Sequence, residues 1–167
     1  GPRLAFAARL SVTLARRRPA LVVLWFASPT YGVLTALQCR AAAVPWLVVA
    51  GGADVANRPG IGFGDARRTW RRRGVSLVLE GARDVWAFSV AAAAEIRAIS
   101  PSAAVRVVPP VVDTPFFRRQ DSAREPLVLS ACARVAPLTL RQKGIDRLMA
   151  VARIRPALAF VVVGQVE

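Results

Sequence analysis

Histidine is absent from this sequence, and lysine occurs once, at position 143. The first absence removes imidazole-based triads, most zinc sites and the commonest general base. Cysteine occurs only as Cys39 and Cys132, far apart and in apolar contexts. That spacing fits neither a disulfide framework nor a metal site, so a reducing compartment is the default. Acidic residues are scarce, 10 against 24 basic ones. Among them Glu80, Asp84 and Glu95 lack the paired arrangement that glycoside hydrolysis requires. No low-complexity tract and no solenoid-type repeat is visible. Residues 4–14 are apolar but interrupted by Arg9 and lack a cleavage pattern, so they do not read as a secretory leader. The uncharged run 20–38 approaches the roughly 20 residues of a membrane-spanning helix. Ser28, Pro29, Thr30 and Gly32 in its middle are loop formers, and a strand followed by a helix is the better expectation.

What is present is an apolar chain of 167 residues, 54% hydrophobic with a mean hydropathy of +0.40, well able to bury a core. Its formal net charge of +14 favours polyanions: nucleic acid, anionic lipid or phosphorylated substrates. A coding bias toward Ala and Arg gives the same balance, so charge alone does not choose among them. The chain opens on Gly1-Pro2-Arg3 and stops on Val166-Glu167 just after an apolar run. Both ends read as cut.

The apolar positions define alternating elements. Leu4, Ala7, Ala8, Leu10 and Leu14 share a helical face that ends near Arg16 to Pro19. Residues 20–26 form a continuous apolar run of strand length, the mark of a buried parallel sheet. A helix over 32–42, a strand over 46–50, one or two short helices within 67–79 and a strand over 84–88 follow. Ser89 is suited to cap a helix over 90–99, and residues 105–108 make a further strand stopped by Pro109 and Pro110. The pattern predicts an α/β fold, a Rossmann-like parallel sheet with helices on both faces. In such sheets ligands gather at the carboxyl ends of strands, here residues 26–31, 51–54 and 88–89. The charged stretch 118–125 reads as part of a linker. After it a strand over 127–131, a loop, a helix from about Gly144 and a strand over 160–163 begin a second unit. Ile145, Leu148, Met149 and Ala152 supply that helix's core face. The expected division is 1–118, a linker over 119–126, and 127–167.

Residues 130–146 carry the most chemistry. A strand end leads through a basic loop to a helix opening at Lys143-Gly144. The first N–H groups of a helix are unpaired and its dipole is positive there, which suits a phosphate. Lys143 adds a mobile cation, and Arg134 a fork of donors. Together they would stabilise a departing diphosphate electrostatically, with no metal and no histidine. The plainer alternative is that both are solvated surface charges.

In this segment Lys143-Gly144-Ile145-Asp146-Arg147-Leu148 and Phe160 to Gly164 resemble the donor half of the retaining family-4 glycosyltransferases, of GT-B fold. Earlier segments resemble the same family in order. They are the acceptor-side stretch 47–56 with the Gly-rich residues 59–64, as in one bacterial branch; Arg83-Asp84 with Ala87-Phe88-Ser89; and the interdomain stretch 107–117. The likeness spans most of residues 20–164. It implies a hexosyltransferase-like enzyme that moves a sugar from a nucleoside-diphosphate sugar to a glycan or lipid-linked acceptor of the cell envelope, with retention. It implies no resident cofactor. Lys143, Gly144 and Arg134 or its rival Arg141 would hold the donor diphosphate. Gly164 would lie on the donor nucleotide side, and Gly51, Gly52 and Asp54 would face the acceptor. No catalytic residue is assigned.

The sequence departs from the family in three places. Many members carry a histidine after the strand that ends here at Ala50, where this chain has Gly51, Gly52 and Asp54. Pro110 and Val111 stand where Asn or Pro and then Gly are usual. Arg134 and Lys143 lie farther apart than in the common form, which keeps Arg141 in contention. The family's first strand would precede Gly1 and its donor-gripping glutamates would follow Glu167, so the chain alone is expected to be inactive.

Other readings stay open. Asp54 suits an acceptor hydroxyl or an Asx-type turn. Gly60, Gly62 and Gly64 suit a flexible acceptor loop more than a dinucleotide site, since no strand directly precedes them. Arg67, Arg68, Arg71, Arg72 and Arg73 around Trp70 suit an anionic membrane surface or a solvated basic helix. The protein is expected in the cytoplasm, and the first reading would place it at the inner face of the membrane. A basic, non-enzymatic nucleic-acid binder using that stretch is the alternative function and predicts steeply salt-dependent binding. It gives the alternating elements no role, so a nucleic-acid partner is not expected.

Overall fold

A computed structural model describes residues 1–117 and 125–166. Its described residues fall into two compact units. One comprises Gly1–Pro59 and Phe63–Val111; the other gathers Gly60–Gly62 with the described residues after Val111. The linker expected over 119–126 lies largely outside the described residues.

In the first unit, helix α1 (Pro2–Arg17) starts with Pro in its first turn, where a missing N–H costs nothing, and ends on basic residues that suit its negative pole. Strand β1 (Val22–Trp25) leads to α2 (Tyr31–Ala41), β2 (Trp46–Ala50), α3 (Thr69–Glu80), β3 (Asp84–Ala87), α4 (Val90–Ile99) and β4 (Val105–Val107). Two short 3-10 turns, Pro59–Ile61 and Asp65–Arg67, precede α3. The Ser89 hydroxyl accepts the Ala92 N–H at 3.1 Å and caps α4 as its sequence position predicts.

The strands pair in parallel in the order β1-β2-β3-β4, so each helical crossover moves one place along the sheet. Leu24, Val48, Val85 and Val105 stand side by side in register. They pack with Leu14 of α1, Ala36 and Cys39 of α2, Val75, Val78 and Leu79 of α3, and Ala93 and Ile96 of α4. This is a Rossmann-like parallel sheet flanked by helices, the fold class that the alternation predicts. Burial pushes the Cys39 thiol above its ordinary range.

The next row along, Trp25, Val49, Trp86 and Arg106, points to the other sheet face because side chains alternate in a strand. On that face Asp84 binds Arg106 Nε at 2.9 Å and accepts from Trp86 Nε1 at 3.1 Å, tying β3 to β4. The continuous apolar run 20–26 predicted a strand buried on both sides. Instead, among the described residues β1 stands at one side of the sheet with Val23 and Trp25 exposed, while β2 is buried along its whole length. An edge strand and a central one read alike in hydrophobicity.

The uncharged run 20–38 is split into β1 and α2, and no described helix is long and apolar enough to cross a membrane. The second unit has β5 (Leu127–Val135), α5 (Pro137–Gln142), α6 (Ile145–Ile154) and β6 (Ala159–Val166), with β5 and β6 parallel.

Candidate functional site

The carboxyl ends of β1, β2 and β3 converge, as the topology requires. Phe26 ends β1 with φ 73°, a left-handed backbone that a bulky residue adopts at a cost of about 1–2 kcal/mol. That twist lays its ring on Gly51, the residue that follows β2. A Cβ built on Gly51 would overlap Cε1 and Cδ1 of the Phe26 ring. Trp25 lies near Phe88, their ring centroids 6.4 Å apart and tilted by 51°, and meets Phe26 at 6.5 Å. Trp25 is 62% exposed and Phe26 48%. Sequence reasoning marked these strand ends as ligand territory but not the aromatic cluster; the signal available was an aromatic at the end of the run 20–26 and another at the end of 84–88.

Asp54 lies just behind this cluster. It is only 3% exposed, and its Oδ2 accepts the Ala27 N–H at 2.7 Å, joining the turn after β1 to the turn after β2. Its Oδ1 is also buried and lacks a partner in hydrogen-bonding geometry. Burial raises the carboxyl above its ordinary range, offset in part by the N–H groups of Ala27, Gly52 and Val55. Gly51 is exposed and Gly52, at φ 99°, has open space where a side chain would begin. Gly51, Gly52 and Asp54 therefore lie at one strand end, with Asp54 turned inward. A cleft of 680 Å³ lined by Leu14, Arg18, Gln38 and Val44 lies at the other, amino end of the sheet.

The Gly-rich loop is ordered by its own backbone. Arg58 and Phe63 exchange two hydrogen bonds of 3.0 Å, and Gly64 at φ 99° packs so closely on Ala56 that a Cβ would overlap its carbonyl. Gly60 and Gly62 have open space around them. In the basic stretch, Arg71 pairs with Asp65 and stacks on Trp70, and Arg72 donates to the Ala98 carbonyl at 2.7 Å. Arg67, Arg68 and Arg73 are exposed, as is Trp70.

In the second unit the expected basic loop between strand and helix is mostly structured. Strand β5 continues through Arg134, which stands opposite Gln165 beyond an irregularity in the ladder. Pro137, ideal for a first turn, starts α5, and Arg141 lies in its last turn. The Lys143 N–H bonds back to Thr139 at 2.9 Å, Gly144 turns left-handed at φ 69°, and α6 begins. The Lys143 side chain is exposed and Gly144 is half-buried, while Ile145 anchors the new helix at 2% exposure. Arg134 and Arg141 are both exposed. Gly164 lies within β6, and a Cβ there would overlap the Cys132 carbonyl oxygen. Its lack of a side chain lets the two strands close up at the ladder irregularity.

The fold of parallel strands and crossover helices is shared with solved structures. The crystal structure of Anabaena Alr3699/HepE in complex with UDP matches with a TM-score of 0.66 at 17% identity over 96% of this chain and 43% of that one. The S. aureus MnaA–UDP structure matches with a TM-score of 0.52 at 14% identity over 99% of this chain and 45% of that one. The chain thus spans less than half the length of these structures, and at such identities the likeness is one of fold. No protein-family model and no curated protein sequence matches the chain.

Proposed function

We propose that this chain takes part in glycosyl transfer from a nucleoside-diphosphate sugar. The observation that carries this reading is a fold shared over nearly the whole chain with two UDP complexes. It is supported by a glycine-turned helix start at Gly144, preceded by the exposed and only lysine. In this reading the N–H groups that open α6 and the Lys143 ammonium hold the diphosphate, with Arg134 or Arg141 as the second cation. Their charge stabilises the leaving diphosphate, so the step needs neither resident cofactor nor histidine. Gly164 keeps the strand end on the nucleotide side close-packed. Gly51, Gly52 and the Asp54 turn shape the acceptor side.

The finer reading is hexosyl transfer with retention, in the manner of the family-4 enzymes, to a glycan or lipid-linked acceptor. The exposed Arg67, Arg68 and Arg73 with Trp70 would rest on an anionic membrane from the cytoplasmic side.

Titration calorimetry of UDP into a full-length version of the protein tests the donor assignment. Lys143→Ala is expected to weaken binding about ten-fold, as for loss of one charged hydrogen bond. Equal affinity of the two proteins would reject it.

A further inference from the structure

We infer that Asp54 is a positioning residue of the acceptor side: it joins the turns after β1 and β2 into one assembly that reaches the base of the Gly-rich hairpin, without meeting the acceptor itself. The role rests on the transferase reading; the joining rests on local geometry. The backbone ladder from β1 to β2 runs as far as the Phe26 N–H, which donates to the Val49 carbonyl at 2.9 Å. The next N–H along, that of Ala27, donates to the Asp54 carboxylate at 2.7 Å. A side chain thus adds one more rung to the ladder, where Ala27 is fully buried and Asp54 is nearly so. At that depth an unmade bond is costly, because the N–H has no water to turn to.

The turn that carries Asp54 is held on its other side as well. Ala56 donates to the Gly52 carbonyl at 2.8 Å, closing residues 52–56 around Asp54, and Asp65 donates to the Ala53 carbonyl at 2.9 Å. Gly64 packs on Ala56 with no room for a side chain between them. These links lead to the hairpin base, where Arg58 and Phe63 exchange their two bonds. The base is tied to α4 by the Arg58–Glu95 ion pair, and Asp65 is tied to α3 by Arg71. Both ion pairs are partly exposed and contribute little. The buried bond from Ala27 to Asp54 is the stronger link. Both oxygens of Asp54 are buried, so the carboxylate acts through the backbone that it fixes. What that segment presents outward is Gly51, Ala53 and Asn57, all exposed.

Amide hydrogen exchange, read residue by residue by NMR on a full-length version of the protein, tests this with Asp54→Ala and Asp54→Asn. Asp54→Ala is expected to speed exchange at Ala27, Arg58 and Phe63 about ten-fold beyond any rise at the buried Val48, which reports global opening. The amide oxygen of Asn still accepts from Ala27, so Asp54→Asn should return Arg58 and Phe63 to within about three-fold of the wild type. Asp54→Ser is the second variant, in case Asp54→Ala fails to fold; its hydroxyl ends one atom short of the carboxylate oxygens, and it should show the pattern of Asp54→Ala. A purely local role would speed Ala27 alone, and a general loss of stability would move all four amides alike. Either result, or hairpin amides that Asn does not restore, overturns the inference. UDP titration of the same samples separates the two readings. Coupled exchange without UDP binding removes only the donor assignment, whereas UDP binding without coupled exchange removes only the role of Asp54.

Discussion

The ring of Phe26 occupies the space in which a side chain at Gly51 would begin, so the end of β1 and the end of β2 exclude each other's side chains. One residue accepts a left-handed backbone and the other gives up its Cβ. Gly51→Ala is therefore expected to push the Phe26 ring aside and to lower stability by about 1–3 kcal/mol, the usual cost of overpacking. In a Phe26→Ala background the same change should cost under about 0.5 kcal/mol, because the colliding ring is gone. Urea unfolding of the four proteins measures the coupling. Additive losses would mean that the two residues do not meet.

The turn between α2 and β2 is a left-handed helix cap filled by the wrong residue. Val44 donates to the Cys39 carbonyl at 2.9 Å and Ala43 to Arg40 at 3.2 Å, the paired bonds of a Schellman cap, while Ala43 sits at φ 54°. Glycine is the residue that adopts this backbone without strain. Ala43→Gly should stabilise the protein by about 0.5–1 kcal/mol, since relief of strain outweighs the added freedom of the unfolded chain. Ala43 is exposed, so no packing is lost. A raised urea midpoint checks this; a lowered one would show that the turn is not as described.

Asp54 gives the fold a pH dependence of unusual sign. Its carboxyl is raised above the ordinary 3.8 chiefly by burial. The folded state therefore binds its proton more readily than the unfolded state does. The Asp54 contribution is most favourable below the ordinary value and is lost as pH rises through the raised folded value. Relative to Asp54→Asn, the wild type should gain stability as pH falls across that interval, where Asp54→Asn has no titrating group at the position. Asp54→Ala should be less stable than either near neutral pH by about 1–3 kcal/mol, because the buried Ala27 N–H loses its acceptor. Parallel urea titrations from acid to neutral pH decide it. A wild type that weakens relative to Asp54→Asn on acidification would reverse the assignment.

The alternation of elements was legible because the run of residues 46–50, the Ser89 cap and the spacing of Ile145, Leu148, Met149 and Ala152 each agree with one local structure. Other features were hidden for physical reasons. The order of the described strands, with β1 outermost, is set by long-range pairing that hydrophobicity does not encode. The short α5 was read as loop because six residues around Pro137 give too little periodicity. The Asp54 bond to Ala27 spans 27 positions, beyond any local pattern. The placement of the Phe26 ring depends on the absence of a side chain at Gly51, and a sequence does not reveal what a glycine stands beside.

Arg134 and Arg141 compete for the second cation, and the two sites differ mechanically. Arg134 is fixed in a strand whose ladder partner is Gln165, at the carboxyl end where a parallel sheet presents its ligands. Arg141 lies in the last turn of a six-residue helix, and its carbonyl accepts from Gly144 at 3.4 Å. A strand holds a side chain's origin more firmly than a short helix does, so less ordering remains to be lost when phosphate binds. Arg134→Ala is accordingly expected to weaken UDP binding about ten-fold, the scale of one charged hydrogen bond, and Arg141→Ala by a clearly smaller factor. Calorimetric titrations at two salt concentrations separate contact from general charge. A contact arginine should still matter at high salt, where diffuse attraction is screened. If Arg141→Ala proves the costlier change at both, the diphosphate lies against α5 and the assignment of Arg134 fails.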